Sequence, residues 1–125
     1  MTMKDLVADA RSRVGAVSPQ EAEEAARNGD LILDVREAAE LEKDGRIAGA
    51  LHIPRGILET WADATAQTAE ARLTGVRGFG RVHVLCASGG RAALAADTLR
   101  RMGYDADLID GGLGGGKSAG LPVER

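Results

Sequence analysis

Three short apolar runs do most to limit what this chain can fold into. They are Leu31-Ile32-Leu33-Asp34-Val35, Val82-His83-Val84-Leu85 and, more weakly, Ala106-Asp107-Leu108-Ile109. Each is bounded by turn signals and is short for a helix, so each reads as a buried strand, of the kind found in parallel sheets. Helix-forming segments lie between them. Ser18-Pro19-Gln20-Glu21 combines a Ser cap, Pro at the first helical position and Glu three residues after the cap. That helix is expected to run to about Arg27, where Asn28-Gly29 ends it. Residues 3–14 read as an amphipathic helix with Thr2 as its cap and Gly15 as its stop. Residues 37–43, stopped by Gly45, and residues 91–102, stopped by Gly103, read as two more, with Leu94 and Leu99 of the latter turned to the sheet. Residues 56–73 predict one or two helices, with Trp61 as a partly buried anchor under a helix over residues 59–67. Ala16-Val17 and residues 50–53, ended by Pro54, complete the strand candidates. Strands alternating with helices imply an α/β fold: a parallel central sheet of about five short strands, flanked by helices on both faces.

A length of 125 residues suits one core. The expected organisation is an N-terminal helix over residues 1–15 packed on a domain spanning residues 16–125. A net charge of −3 and the lack of a basic run argue against a nucleic-acid partner. No apolar run is long enough to span a membrane, and the first residues lack a secretory signal's apolar stretch. The expected location is therefore cytoplasmic. Cys86 is the one cysteine, which rules out a disulfide within the chain and a Cys-rich zinc site. His52 and His83 lack metal-ligand spacing with each other or with Cys86. No metal and no organic cofactor is expected.

Cys86 stands at the carboxyl end of the apolar run 82–85, the edge of a parallel sheet where ligands bind. Small residues follow, Ala87-Ser88-Gly89-Gly90, and then Arg91 opens a helix. The first amides of a helix have no intrahelical partner. Two glycines let the loop curl so that these amides converge into an anion cradle at the positive end of the helix dipole. A cysteine facing that cradle is favoured as thiolate. Arg91 either adds a fixed charge at the rim or stiffens the loop. The opposing interpretation is a small buried hydrophobe, the usual role of a lone cysteine.

The sequence resembles that of single-domain rhodaneses, which are sulfurtransferases. The resemblance rests on Asp34-Val35-Arg36-Glu37, Glu40-Leu41, Gly45-Arg46-Ile47-Ala48-Gly49-Ala50 and Leu51-His52-Ile53-Pro54, then on the loop C-x-x-G-x-R at residues 86–91. Gly111-Gly112 and Ala119-Gly120-Leu121-Pro122-Val123 complete it. It covers roughly residues 16–123 and implies Cys86 as the catalytic nucleophile, with Ala87, Ser88, Gly89, Gly90 and Arg91 binding the substrate. Thiosulfate or a similar small anion would donate sulfur through a Cys86 persulfide. The acceptor would be cyanide or a thiol, such as that of a thioredoxin-like protein. Two other readings stay open: a non-catalytic persulfide-carrying or regulatory binding module, and a small phosphatase or arsenate reductase. The latter chemistry uses a Cys loop one residue longer than the C-x4-R found here.

Asp34, Arg36 and Arg55 are expected in supporting roles. Asp34 could accept amides of the Cys86 loop, and Arg36 could pair with a carboxylate such as Glu40. Arg55 either attracts an anionic substrate or is simply solvated. His52 and His83 read as packed or edge residues rather than catalytic bases. Gly111–Ser118, GGLGGGKS, also matches the phosphate-loop pattern G-x-x-x-x-G-K-S. Seven residues including Gly120 and Pro122 follow it, too few for the helix and sheet such a loop requires. Lys117 is read as solvated. Gly116 stands where the family carries Trp, and three consecutive glycines replace helix formers at about 1 kcal/mol each relative to Ala. A frayed or irregular segment is predicted over residues 114–118.

Overall fold

The structure is a computed structural model that describes residues 1–87, 90–118 and 120–124. In chain order its elements are α1 (Met3–Arg11), β1 (Ala16–Val17), α2 (Pro19–Arg27), β2 (Leu31–Asp34), α3 (Ala38–Asp44), β3 (Arg46–Ile47) and β4 (Leu51–His52). A 3-10 turn (Arg55–Ile57) leads into α4 (Leu58–Ala62) and α5 (Ala71–Thr74). Then come β5 (Arg81–Leu85), α6 (Gly90–Arg101), β6 (Asp105–Ile109), α7 (Gly112–Ser118) and β7 (Val123–Glu124).

Five strands form one sheet in the order β1-β6-β5-β2-β4, and every pairing in it is parallel. The middle strand β5 and its neighbour β2 carry the strongest apolar runs and are paired Leu31↔Val82 through Asp34↔Leu85. Both their faces are covered. Leu33, Val35, Val82, Val84, Ala106 and Leu108 pack with Ala10 of α1, Leu58 of α4, Leu73 of α5 and the buried alanines of α6. Ile32, Leu85 and Ile109 pack on the other face with Ala22 of α2 and Leu113 of α7. α6 buries Ala92, Ala93, Ala95, Ala96 and Leu99, so small side chains bring it close to the sheet. α1 lies against α6, fixed by the Arg13 bonds to Asp97 (2.8 and 2.9 Å).

The helix caps read from the sequence form as expected. Thr2 and Ser18 each close a reciprocal capping box, with Asp5 and Glu21 respectively. The segment from residue 56 to 73 yields two short helices, within the one or two expected. Three features differ from expectation. Arg46–Ile47 and Val123–Glu124 make a small antiparallel ribbon, too short to leave a periodic pattern in the sequence. The helix around Trp61 ends at Ala62, whose carbonyl accepts the Tyr104 hydroxyl at 2.7 Å. Trp61 itself is half-buried. The glycine-rich C-terminal segment is helical rather than frayed. A Cβ at Gly115 would lie 2.8 Å from the Asp110 carbonyl oxygen, and one at Gly116 would lie 3.3 Å from Ile47 Cδ1. Close packing therefore replaces side chains there and offsets the low helix propensity. Among the described residues no helix is long and apolar enough to cross a membrane.

Candidate active site

β5 ends at Leu85, so Cys86 takes the first position beyond the sheet. Side chains alternate along a strand, and Cys86 shares the face of Val82 and Val84, the face covered by α6. The thiol is fully buried. Its Sγ accepts the backbone N–H of Ala92 at 3.4 Å. Ala92 is the third residue of α6, where amides lack intrahelical partners and the helix dipole is positive. The sulfur is thus enclosed by apolar groups while bonded to a helix N-terminus. This amide lies one residue beyond the five loop residues expected to hold substrate. Of those five, Ala87 is exposed and Gly90 and Arg91 are the first two residues of α6, while Ser88 and Gly89 lie outside the described residues.

Arg91 is held by Glu40, with Nη1 to Oε1 at 2.5 Å and Nη2 to Oε2 at 2.9 Å. This fork ties the start of α6 to α3. The hydrogen bond from Arg91 brings the Glu40 carboxyl down to about 2. The same bond raises the guanidinium of Arg91 above its ordinary value. The fork fits the stiffening role expected of Arg91, while the guanidinium also interacts electrostatically with Cys86.

The expected Arg36–Glu40 pair does not form, because Asp34 is closer to hand. Arg36 donates to both Asp34 oxygens, at 2.7 Å from Nη2 and 3.1 Å from Nε, and also to the Gly45 carbonyl at 2.9 Å. Both side chains are buried. Nor does Asp34 accept an amide from the described residues of the Cys86 loop. Its Oδ1 accepts the backbone N–H of Arg36 at 3.0 Å. Nη1 of Arg36 has no hydrogen-bond partner among the described residues. This is an internal ion pair that fixes the turn after β2.

Arg55 is neither solvated nor turned to the cradle. It reaches Glu59 at 2.8 Å and Thr98 Oγ1 at 3.1 Å. Thr98 lies roughly 9 Å along the α6 axis from Ala92, at the helical rise. His52 is half-buried with Nε2 2.7 Å from the Arg36 carbonyl oxygen. His83 is buried, with Nδ1 2.6 Å from Asp107 and Nε2 2.8 Å from Asp30. Burial works against its charged form, but hydrogen bonds to the two carboxylates outweigh burial and raise its basicity. As expected, both histidines act as packed groups.

Sequence reasoning missed two contacts. Ala92 could have been found by counting to the third amide of the helix. Leu113 could not. Its N–H donates to the Cys86 carbonyl at 2.8 Å, so α7 braces the loop from the side opposite α6.

A cysteine at the carboxyl edge of a parallel sheet, bonded to the amide of a following helix, defines an α/β protein with a buried thiol at a strand–helix junction. The family is equally defined: the Rhodanese-like domain matches residues 18–119, and the chain belongs to that family. It is similar to a Bacillus subtilis (strain 168) protein named "Putative sulfur carrier protein YrkF", with 36% identity over 73 residues. The matched span is 58% of this chain and 33% of that protein's length. Among solved structures it is similar to a Rhodopseudomonas palustris CGA009 protein of unknown function described as "Possible Tyrosine Phosphatase". That match has a TM-score of 0.88 and 31% identity over 99% of this chain and 95% of the other. A polysulfide-sulfur transferase homodimer from Wolinella succinogenes matches with a TM-score of 0.76 and 28% identity, over 97% of this chain and 85% of the other.

Proposed function

We propose that the chain moves sulfane sulfur through a Cys86 persulfide. The Cys86 thiolate attacks the outer sulfur of thiosulfate. The S–S bond of the donor breaks, sulfite leaves with the electron pair, and Cys86 holds the outer sulfur as a persulfide. Cyanide or an external thiol then attacks that outer sulfur and regenerates the thiolate. Because Cys86 is the one cysteine, no second thiol in the chain can resolve the persulfide, and release requires an external acceptor. The acceptor in this reading is a cytoplasmic thiol on a thioredoxin-like protein. The observation that carries the proposal is the Ala92 N–H on the Cys86 sulfur at the start of α6. That bond and the helix dipole stabilise an anionic sulfur in a site otherwise sheltered from water. Intact-protein mass spectrometry after thiosulfate tests it. A gain of one sulfur atom, removed by cyanide, is the expected result, and an unchanged mass with both thiosulfate and polysulfide would refute it.

The likeness to a named sulfur carrier supports a second reading, in which the protein loads sulfur but does not turn over alone. Loading without multiple turnovers of thiosulfate and cyanide would select that reading. The description of the Rhodopseudomonas palustris protein raises phosphatase chemistry. The short C-x4-R loop favours a slim sulfur group over a tetrahedral phosphate, so no hydrolysis of p-nitrophenyl phosphate is expected.

A further inference from the structure

The Cys86–Ala87 peptide is bounded by backbone on the side away from α6. β6 ends at Ile109, and the chain turns through Asp110 and Gly111 to begin α7 at Gly112. Gly112 has φ +56°, in the left-handed region where side chains are rarely tolerated. A Cβ built on it would lie 2.3 Å from the Cys86 carbonyl oxygen, 2.5 Å from the Ala87 carbonyl oxygen and 2.8 Å from the Ala87 carbonyl carbon. All three are backbone atoms, so no side-chain rotation can make room. The next residue, Leu113, donates its N–H to the same Cys86 carbonyl at 2.8 Å. Leu113 is itself anchored by its buried side chain against Leu85 and Ile109. The catalytic residue's carbonyl is therefore held by one helix and its sulfur by another.

We propose that Gly112 is a positioning residue for Cys86. The absence of a side chain at 112 lets the start of α7 lie directly on the Cys86–Ala87 peptide. The Leu113 N–H then fixes that peptide's orientation, which sets where the sulfur meets the Ala92 amide. The inference rests on the sulfur-transfer reading for its rate consequence alone; the geometric consequence stands apart from it.

Gly114 supplies a control within the same helix, since a Cβ there meets nothing within 4 Å. The experiment compares Gly112→Ala and Gly114→Ala for three readouts: the rate of sulfur loading from thiosulfate, the rate of Cys86 alkylation by iodoacetamide, and the amide resonance of Ala92. Gly112→Ala is expected to slow loading and alkylation by about tenfold or more, since small displacements of a reacting group carry penalties of that order. It is also expected to move the Ala92 resonance. Gly114→Ala is expected to leave all three as in the wild type. A Gly112→Ala protein with wild-type rates, or with slowed rates and an unmoved Ala92 amide, would overturn the proposal. If Gly112→Ala does not fold, the wild type still decides. Blocking Cys86 with iodoacetamide should shift the Leu113 amide resonance and leave that of Gly114 in place, and an unmoved Leu113 overturns the proposal. If the wild type accepts no sulfur, the sulfur-transfer reading falls, while alkylation and the two resonances still test the positioning of Cys86.

Discussion

His83 and Cys86 are three residues apart on one stretch of chain, and both are buried, yet the fold treats them differently. His83 sits within β5 on the α2 and α7 face, and side chains meet both its ring nitrogens: Asp107 on one side and Asp30 on the other. Cys86 lies just past the strand on the α6 face, where the Ala92 amide meets the sulfur, the Leu113 amide meets the carbonyl and the Arg91 guanidinium interacts with the thiol electrostatically. Side-chain charge satisfies the histidine and locks the sheet. The sulfur instead meets the amide at a helix start, with the Arg91 cation in electrostatic reach. Burial alone does not distinguish the two; the identity of their partners does.

The largest expected effect breaks the comparison on the side of function. Cys86→Ser should abolish sulfur loading while keeping a cooperative thermal transition, and His83→Asn should load sulfur as the wild type does. Loading by Cys86→Ser, read by mass spectrometry, would remove the cysteine from the mechanism.

Next comes the ion pair at the end of β2. Asp34→Asn strands the buried Arg36 charge, and loss of one partner of such a pair costs about 3–5 kcal/mol. Urea denaturation should show a correspondingly lower midpoint. An unchanged midpoint would mean that Asp34 is not what neutralises Arg36.

His83→Asn should cost about 1–3 kcal/mol at mildly acidic pH, because it leaves the buried Asp107 and the half-buried Asp30 short of a donor. Its pH dependence sharpens the contrast. The two carboxylates raise His83 above 6.5, so its contribution is complete below that pH and fades as pH climbs through the raised value. Wild-type stability should decline across that alkaline-going window, and the decline should be absent in His83→Asn. Parallel profiles for the two proteins would contradict the assignment.

The smallest effect belongs to the Glu40–Arg91 fork. Both side chains are about 30% exposed, so Glu40→Gln should cost less than about 1 kcal/mol at neutral pH. Glu40 is lowered from 4.5 to about 2, and its contribution is therefore lost as pH falls through that range. Denaturation between neutral pH and pH 3 should show the wild type converging on the mutant, and a constant gap between them would exclude the fork as the cause.

Much of the fold was legible because short-range patterns write it. The apolar runs at residues 31–35 and 82–85, the capping box at Ser18 and the stops at Gly45 and Gly103 located the main strands and helices to within a few residues. The position of Cys86 after a central strand followed from the same pattern. The misjudged features have physical reasons. A two-residue strand such as Arg46–Ile47 carries no period. The helix at Gly112–Ser118 contradicts propensity because its glycines allow close packing on Asp110 and Ile47, which no count of helix formers registers. Arg36 has carboxylates at positions 34, 37 and 40 within reach along the chain, and only the fold selects Asp34.

The sequence by itself determined the order of strands and helices and put a single thiol at a strand–helix junction, because periodicity and capping act over a few residues. The tertiary structure alone decided which group meets which: Glu40 with Arg91 across 51 positions, Asp30 with His83 across 53, and the backbone of Gly112 and Leu113 against that of Cys86. Those choices depend on how layers stack and how closely backbones approach. They are properties of the packed solid, which one-dimensional spacing does not encode.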